Sequence, residues 1–380
     1  MKNNAFALKT IFAVLCLAML ASQLWSMSTW NEARGVYDDI CYLRQAHLFQ
    51  RFGLAGFDTD IARDDDGYLK SKLKEIGFAD WNDPARVPCH NLMPATGKLV
   101  IQYPPGVGLA LALFPAGHQV VPMYMLATIA VFGVALLAIF RAQTTGSIQV
   151  AGFFGCLAIY LMIDPAKASY SIAPTAIVCA LAGFLTARWL GRPQSRIGSL
   201  MALGFLLGLS VDFRLANLFL ASGYCVYLLV VFLGSRKAQQ FLQGVAFGLA
   251  LIAGMAPTIV SYWVNTGSPF TSTYHGAVDV RPLDFSLDVV WQYLADFMQV
   301  ALLALAIVGV VRLLPARSQG ASRVAQVTAA NLVVNLAFFL TYPIATPYYL
   351  IPIALLSLWS LLFAREMWEA GEKPPEAVAL

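Results

Sequence analysis

Long apolar runs constrain this chain more than any other feature. They fall at about residues 5–25, 121–140, 148–163, 172–190, 197–211, 215–233, 241–263, 289–311, 324–342 and 348–364. A bilayer core of about 30 Å takes roughly 20 apolar residues of helix, so some of these runs are short. The chain is 59% hydrophobic and 12% charged, with a mean hydropathy of +0.66. Soluble domains carry about 25% charged residues. The sequence therefore predicts an all-α polytopic membrane protein with about ten transmembrane helices. Its first partner is the lipid bilayer, and no nucleic acid is expected.

The basic residues set the orientation. With the N-terminus inside, the inner segments collect Lys2, Lys9, Arg141, Arg188, Arg192, Arg196, Arg236, Lys237, Arg312, Arg317, Arg323, Arg365 and Lys373. The short outer loops and helix ends hold Lys167, Arg214 and Arg281, and the other cations lie in the long first loop. Long loops translocate largely regardless of charge, so the short loops decide. Both termini are expected to be cytoplasmic. Residues 1–25 carry Lys2 and Lys9 before an apolar core, as a signal peptide would. "MLASQLW" offers no clean small-x-small cleavage pattern, so a retained anchor is expected. Counting "YPPGVGLALALFPAGHQ" (103–119) as a span would invert every later loop. It is read instead as a short helix opened by Pro104 and Pro105.

This gives one transmembrane domain over 1–364 and a cytoplasmic tail over 365–380. Residues 26–98 form the long first extracytoplasmic loop, containing surface helices, and 264–288 form a second outer loop. The first loop holds eleven of the chain's acids, and all four histidines fall on the outer side. Polar chemistry thus collects on the extracytoplasmic face of a cell inner (plasma) membrane protein.

Residues 37–53 read as an amphipathic helix on that face. Tyr37, Cys41, Leu48 and Phe52 form an apolar stripe, with Arg44, Gln45 and Gln50 polar between them. Asp38 and Asp39 occupy its first turn. Acids are favoured at a helix N-terminus, by about 0.3–1 kcal/mol each. That explains one aspartate better than an adjacent pair in a chain so poor in charge. Close carboxylates repel, which usually raises one pKa, and a raised carboxylate is a candidate general base. A divalent metal ion at Asp38 and Asp39 stays open, with no spacing that demonstrates it.

"ARDDDGYLK" (62–70) superficially resembles a calcium loop, but Ala62 stands at the first ligand position, so a solvated turn is expected. Gly204/Gly208 and Gly244/Gly248 have the spacing of close helix packing. Cys16, Cys156, Cys179 and Cys225 lie in apolar runs, where Cys is a small filler. Cys41 and Cys89 alone lie in the outer loop, where oxidation is permitted. The choice there is between two free thiols and a disulfide clamping the two ends of the loop. A bridge of that length contributes on the order of 4 kcal/mol in the chain-entropy account.

The layout resembles the GT-C superfamily of membrane glycosyltransferases. The resemblance is carried by an inside N-terminus, one helix, and a long outer loop opening with acids and then "YLRQAHLFQRFG". Asp38, Asp39, Tyr42, Ala46, Leu48 and Gly53 follow the order of a surface-helix pattern in bacterial members. "MPATGKLVIQYPPGVGLAL" is similar to the segment closing that loop, "NTGSPFTSTY" to a later outer loop, and "TPYYLIPIALLSLW" to the start of a late helix. The pair is Asp-Asp where the protein O-mannosyltransferase branch has Asp-Glu.

The resemblance implies a polyprenyl-phosphate-linked sugar as donor and a glycan, lipid or protein as acceptor, with inversion at the anomeric carbon. Asp38 then acts as catalytic base, assisted by Asp39 as metal ligand or neighbour. The leaving phosphate needs cations or amide donors, and Lys167, Arg214 and Arg281 are the candidates. Each also has a structural reading, in pairing with Asp164, with Asp212, or with Asp279 or Asp284 respectively. Tyr42, Tyr103, Tyr274 and His275 are candidate substrate contacts, with a plain surface loop the alternative for the last two. The rival classes are a transporter or flippase of a lipid or small solute, and a non-catalytic membrane assembly subunit.

Overall fold

A computed structural model describes residues 2–32, 37–83, 86–163, 169–191, 196–274, 285–342 and 349–371. The described chain is helical apart from one small hairpin. Helix α1 (Lys2–Ser28) leads into a loop unit made of α2 (Tyr37–Phe52), α3 (Tyr68–Glu75), strands β1 (His90–Leu92) and β2 (Leu99–Ile101), and α4 (Gly106–Ala112). The bundle follows as α5 (Val120–Arg141), α6 (Thr145–Tyr160), α7 (Ile172–Gly191), α8 (Arg196–Phe213) and α9 (Ser222–Ser235). It ends with α10 (Ala238–Gly254), α11 (Ala256–Thr266), α12 (Leu287–Ala295), α13 (Phe297–Leu313), α14 (Gln319–Thr341) and α15 (Ile351–Gly371).

Each of the ten apolar runs is helix over most of its length. Among the described residues, five helices are long and apolar enough to cross a membrane: Asn4–Ser28, Val120–Arg141, Ile172–Gly191, Leu215–Ser235 and Gln319–Thr341. Helices α6 and α8 are apolar but shorter. The segment 103–119 holds only the seven residues of α4, far below the roughly 20 that a span requires. The helix α15 continues through the expected tail boundary at 365, as far as Gly371.

Two runs expected to be single spans are bent pairs, α10 with α11 at 56° and α12 with α13 at 91°. Pro257 stands in the first turn of α11 and has no N–H to lend to a continuous helix. The orphaned Thr258 N–H instead donates to Asp212 Oδ1 of α8 at 3.0 Å, and the Thr258 hydroxyl donates to the same oxygen at 2.6 Å. At the second break, Asp296 accepts from the Gln299 N–H at 3.1 Å and from its amide Nε2 at 3.0 Å. An N-cap satisfies donors that would be orphaned at a new helix start, so both breaks are built into the sequence.

Close packing is set by glycines. A Cβ at Gly208 of α8 would lie 2.1 Å from the Leu251 carbonyl oxygen of α10, and one at Gly254 would lie 2.2 Å from that of Phe205. Gly204 makes a similar approach to Phe247. Gly244 and Gly248, expected to do the same, meet nothing within 4 Å. The spacing was right for α8, but α10 turns Gly254 to the interface instead.

Candidate functional site

Helix α2 departs from its expected role. Arg44 and Gln45, read as its polar face, are fully buried, and Tyr37 of the expected apolar stripe is 48% exposed. The helix is enclosed by α3, α4 and the chain around 53–63, so it is a core element of the loop unit. The Arg44 guanidinium donates to the carbonyl oxygens of Thr59 and Asp60, each at 2.8 Å, and to His90 Nε2 at 2.9 Å. Burial, opposed by nearby aspartates, brings Arg44 down to about 10. The other ring nitrogen of His90, Nδ1, donates to the Pro88 carbonyl at 2.7 Å. Burial and then the Arg44 charge lower His90 to about 3, so this ring is neutral in the folded loop.

Cys41 and Cys89 are joined as a disulfide, with Cα atoms 6.6 Å apart. It ties the first turns of α2 to the chain just before β1. Cys41, Cys89 and His90 lie within metal-ligand distance of one another. Their sulfurs are bonded to each other and both ring nitrogens are hydrogen-bonded, so the trio is a structural clamp. Asp38 and Asp39 join no cluster of three ligating groups among the described residues.

The acid pair itself is split by its surroundings. Asp39 is fully buried, while Asp38 is partly exposed. The Tyr103 hydroxyl donates to Asp38 Oδ1 at 2.6 Å. Burial, with the Asp38 charge next, raises the Tyr103 phenol far above its ordinary range. Tyr103 therefore keeps its proton and presents a permanent donor to the carboxylate.

Tyr103 is held in place by its own motif, "YPPGVG". Its carbonyl accepts from Gln45 Nε2 at 2.9 Å, and the neighbouring Gln102 carbonyl accepts from the Thr273 hydroxyl at 2.7 Å. A Cβ at Gly106 would lie 2.6 Å from the backbone of Asp212, and one at Gly108 would lie 2.4 Å from the Gln45 Cβ. The two glycines thus let α4 press against α8 and α2 at once, which fixes the tyrosine ahead of them.

From Asp38 a relay of rings reaches open space. Tyr42 stacks on Tyr103 with centroids 4.9 Å apart, and Tyr103 meets Tyr274 edge-on at 6.3 Å. Tyr274 lines a cavity of about 1100 Å³, bounded also by Arg214, Thr271, Ser272, Phe219 and Phe338. Burial raises the Tyr274 phenol as well. The Arg214 guanidinium sits over the Tyr349 ring, 4.2 Å from its centroid. The lining combines polar residues such as Thr271 and Ser272 with aromatic ones such as Phe219 and Phe338, and Arg214 is its one cation among the described residues. Asp38 is not itself in the wall, and Tyr42 packs in the core rather than facing the space.

Of the predicted site, the structure places Asp38 against Tyr103, Tyr103 beside Tyr42 and Tyr274, and Tyr274 with Arg214 in the lining of one cavity, with Asp39 buried next to Asp38 in the chain. Lys167, His275 and Arg281 lie outside the described residues. Sequence reading missed Asn265, at the end of α11. Its Oδ1 accepts from the Thr59 N–H at 3.0 Å, and its Nδ2 donates to the Phe57 carbonyl at 2.8 Å. It also missed Glu32, whose carboxylate accepts the Gln119 and Val120 N–H groups at the start of α5 at 3.0 and 2.6 Å. An asparagine ending an apolar run, just before Thr-Gly, was the available signal for Asn265. No protein-family model matches the chain, and no curated protein matches it.

Proposed function

We propose that the protein is an inner-membrane glycosyltransferase that moves a sugar from a polyprenyl-phosphate carrier to an acceptor at the extracytoplasmic face. The reading adopts ten membrane passages, each bent pair counted as one, with both termini cytoplasmic. One observation carries it: a carboxylate held by a protonated tyrosine, connected ring to ring with a roomy half-aromatic cavity containing a cation. A lipid-linked sugar phosphate requires these features, namely an apolar surface for the first isoprene units, a positive charge for the phosphate, and polar groups for the sugar.

In this reading Asp38 takes the proton of the acceptor hydroxyl as that oxygen attacks the anomeric carbon. The bond from that carbon to the phosphate oxygen breaks, and polyprenyl phosphate leaves with its charge facing Arg214. Tyr103 restrains Asp38 through one oxygen and leaves the proton to be taken on the other. A positioned base of this kind is worth roughly 10²–10⁴ in rate. Asp39, buried beside it, adds a neighbouring acid that disfavours a second charge.

The test uses purified protein in nanodiscs with a panel of lipid-linked sugars, measuring release of polyprenyl phosphate. Release that depends on Asp38 supports the reading. No release from any donor, with or without candidate acceptors and divalent ions, counts against it.

A further inference from the structure

We infer that α12 lies in the plane of the membrane surface and binds lipid by inserting Leu287, Trp291 and Leu294. The inference needs only that α13 crosses the bilayer, and it holds whatever reaction the protein catalyses. Helix α12 leaves α13 at 91°. A helix perpendicular to a spanning helix runs along the membrane rather than through it.

The residues of α12 divide into three sectors. At about 100° per residue, Val289 and Tyr293 share one face, Leu287, Trp291 and Leu294 a second, and Asp288 and Gln292 a third. The first face is buried against the protein, Val289 at 5% and Tyr293 at 4% exposed. The second is apolar yet open, with Leu287 at 74%, Trp291 at 72% and Leu294 at 55% exposed. The third is polar and exposed. A helix at the edge of a bundle and at the membrane boundary meets just these three media: protein, lipid and water. Phe297, 82% exposed just beyond the bend, continues the apolar face onto α13.

The chemistry specifies the occupant. Helix α12 carries no basic residue and has Asp288 in its first turn, so attraction to anionic headgroups does not hold it. Binding rests on apolar insertion, about 5–10 Å into the boundary between headgroups and acyl chains, with Trp291 at the depth where tryptophan is enriched. The partner is a lipid surface recognised without regard to its charge.

The test is depth measurement by spin labelling in phosphatidylcholine vesicles. Nitroxides are placed by Leu287→Cys, Trp291→Cys and Leu294→Cys, with Asp288→Cys as the water-side control. All are made in a Cys225→Ser background, which removes the exposed free thiol. The three apolar positions are expected to favour oxygen over a water-soluble nickel chelate, at depths alike to within a few Å. The control is expected to favour the chelate. A continuous spanning helix would instead separate labels at 287 and 294 by about 10 Å in depth, and that gradient would overturn the proposal. So would chelate access at all positions, or protection from both probes, the mark of a second copy or another protein on this face.

A second measurement needs no label. Brominated lipids should quench fluorescence that disappears in Trp291→Phe, equally at low and high salt. Equal quenching of the parent and the Trp291→Phe protein would also overturn it.

Discussion

The first loop contains two runs of acids, Asp38–Asp39 and Asp64–Asp66, and they sit in opposite surroundings. Each member of the second run is committed to a neighbour. Asp64 Oδ1 accepts the Leu69 N–H at 2.8 Å, Asp65 forms an ion pair with Arg51, and Asp66 accepts from His47 at 2.7 Å. The hydrogen bond from Arg51 holds Asp65 below its ordinary value. Burial pushes Asp66 up, but hydrogen bonds from His47 and the Tyr68 N–H outweigh it, so Asp66 also lies low. The first run has a neutral phenol as its donor and a cavity two rings away. Contiguous acids are therefore uninformative by themselves. What separates the two runs is their setting: Asp65 and Asp66 face Arg51 and His47 at the surface, whereas Asp38 accepts from a neutral phenol whose ring leads toward a cavity.

The strongest way to break this contrast is to neutralise each run in turn. Asp38→Asn is expected to lower transfer by roughly 10²–10⁴, the worth of a positioned base. Asp65→Asn should stay within about twofold, because exposed ion pairs contribute little. Equal losses, read as released polyprenyl phosphate at matched expression, would remove the distinction. Arg214→Gln comes next. Losing a hydrogen bond to a charged group should weaken donor binding by roughly 10–100-fold, visible as a raised KM. Unchanged KM and kcat would place the phosphate elsewhere.

Tyr103→Phe sharpens the comparison from the other side. It removes the donor to Asp38 but keeps the ring between Tyr42 and Tyr274. We expect about a tenfold loss in kcat, with the donor KM unchanged because the ring and its packing remain. An unchanged kcat with a raised KM would mean that the hydroxyl serves donor binding and does not act through Asp38.

The smallest effect concerns pH and stability. His90 titrates near 3 in the folded loop against 6.5 unfolded. Between those values the unfolded chain binds the proton and the folded chain does not, so stability falls as pH drops from about 6.5 toward 3. The depressed Asp65 and Asp66 act lower, losing their contribution as pH falls from about 4 through their folded values. His90→Gln should flatten the thermal-stability curve in detergent between about pH 6.5 and 3 and leave the part below that unchanged. A curve with the same slope between pH 6.5 and 4 in both proteins would refute the assignment.

The positions of the helices were legible because burial in lipid writes them as uninterrupted apolar runs. The two bends were not. Met255 and Asp296 are each the single residue between two helices inside one run, and the angle depends on partners elsewhere in the chain, such as Asp212 for Thr258. Tyr-Pro-Pro-Gly was recognisable as a segment, but the role of its glycines was not, since Gly106 answers to a backbone more than a hundred residues away. Arg44 was misplaced on the surface for a related reason. Its partners are mainly carbonyl oxygens, which every residue owns and no sequence pattern marks.

The bonds that seat the first loop have a consequence for synthesis. Cys41 and Cys89 are 48 residues apart, so the bridge can close soon after that short stretch has been made. The groups that dock the loop arrive much later: Asn265 reaches back 206 residues to Thr59, and Thr273 reaches back 182 to Asn91. At about 5–20 residues per second, a nascent chain carries its stapled but undocked acid site for on the order of 10–40 s. The contacts of Arg44 with Thr59, Asp60 and His90, and the disulfide, all lie within the stretch already made by then. The clamp can thus be complete in the half-made protein, before the groups that dock the loop exist.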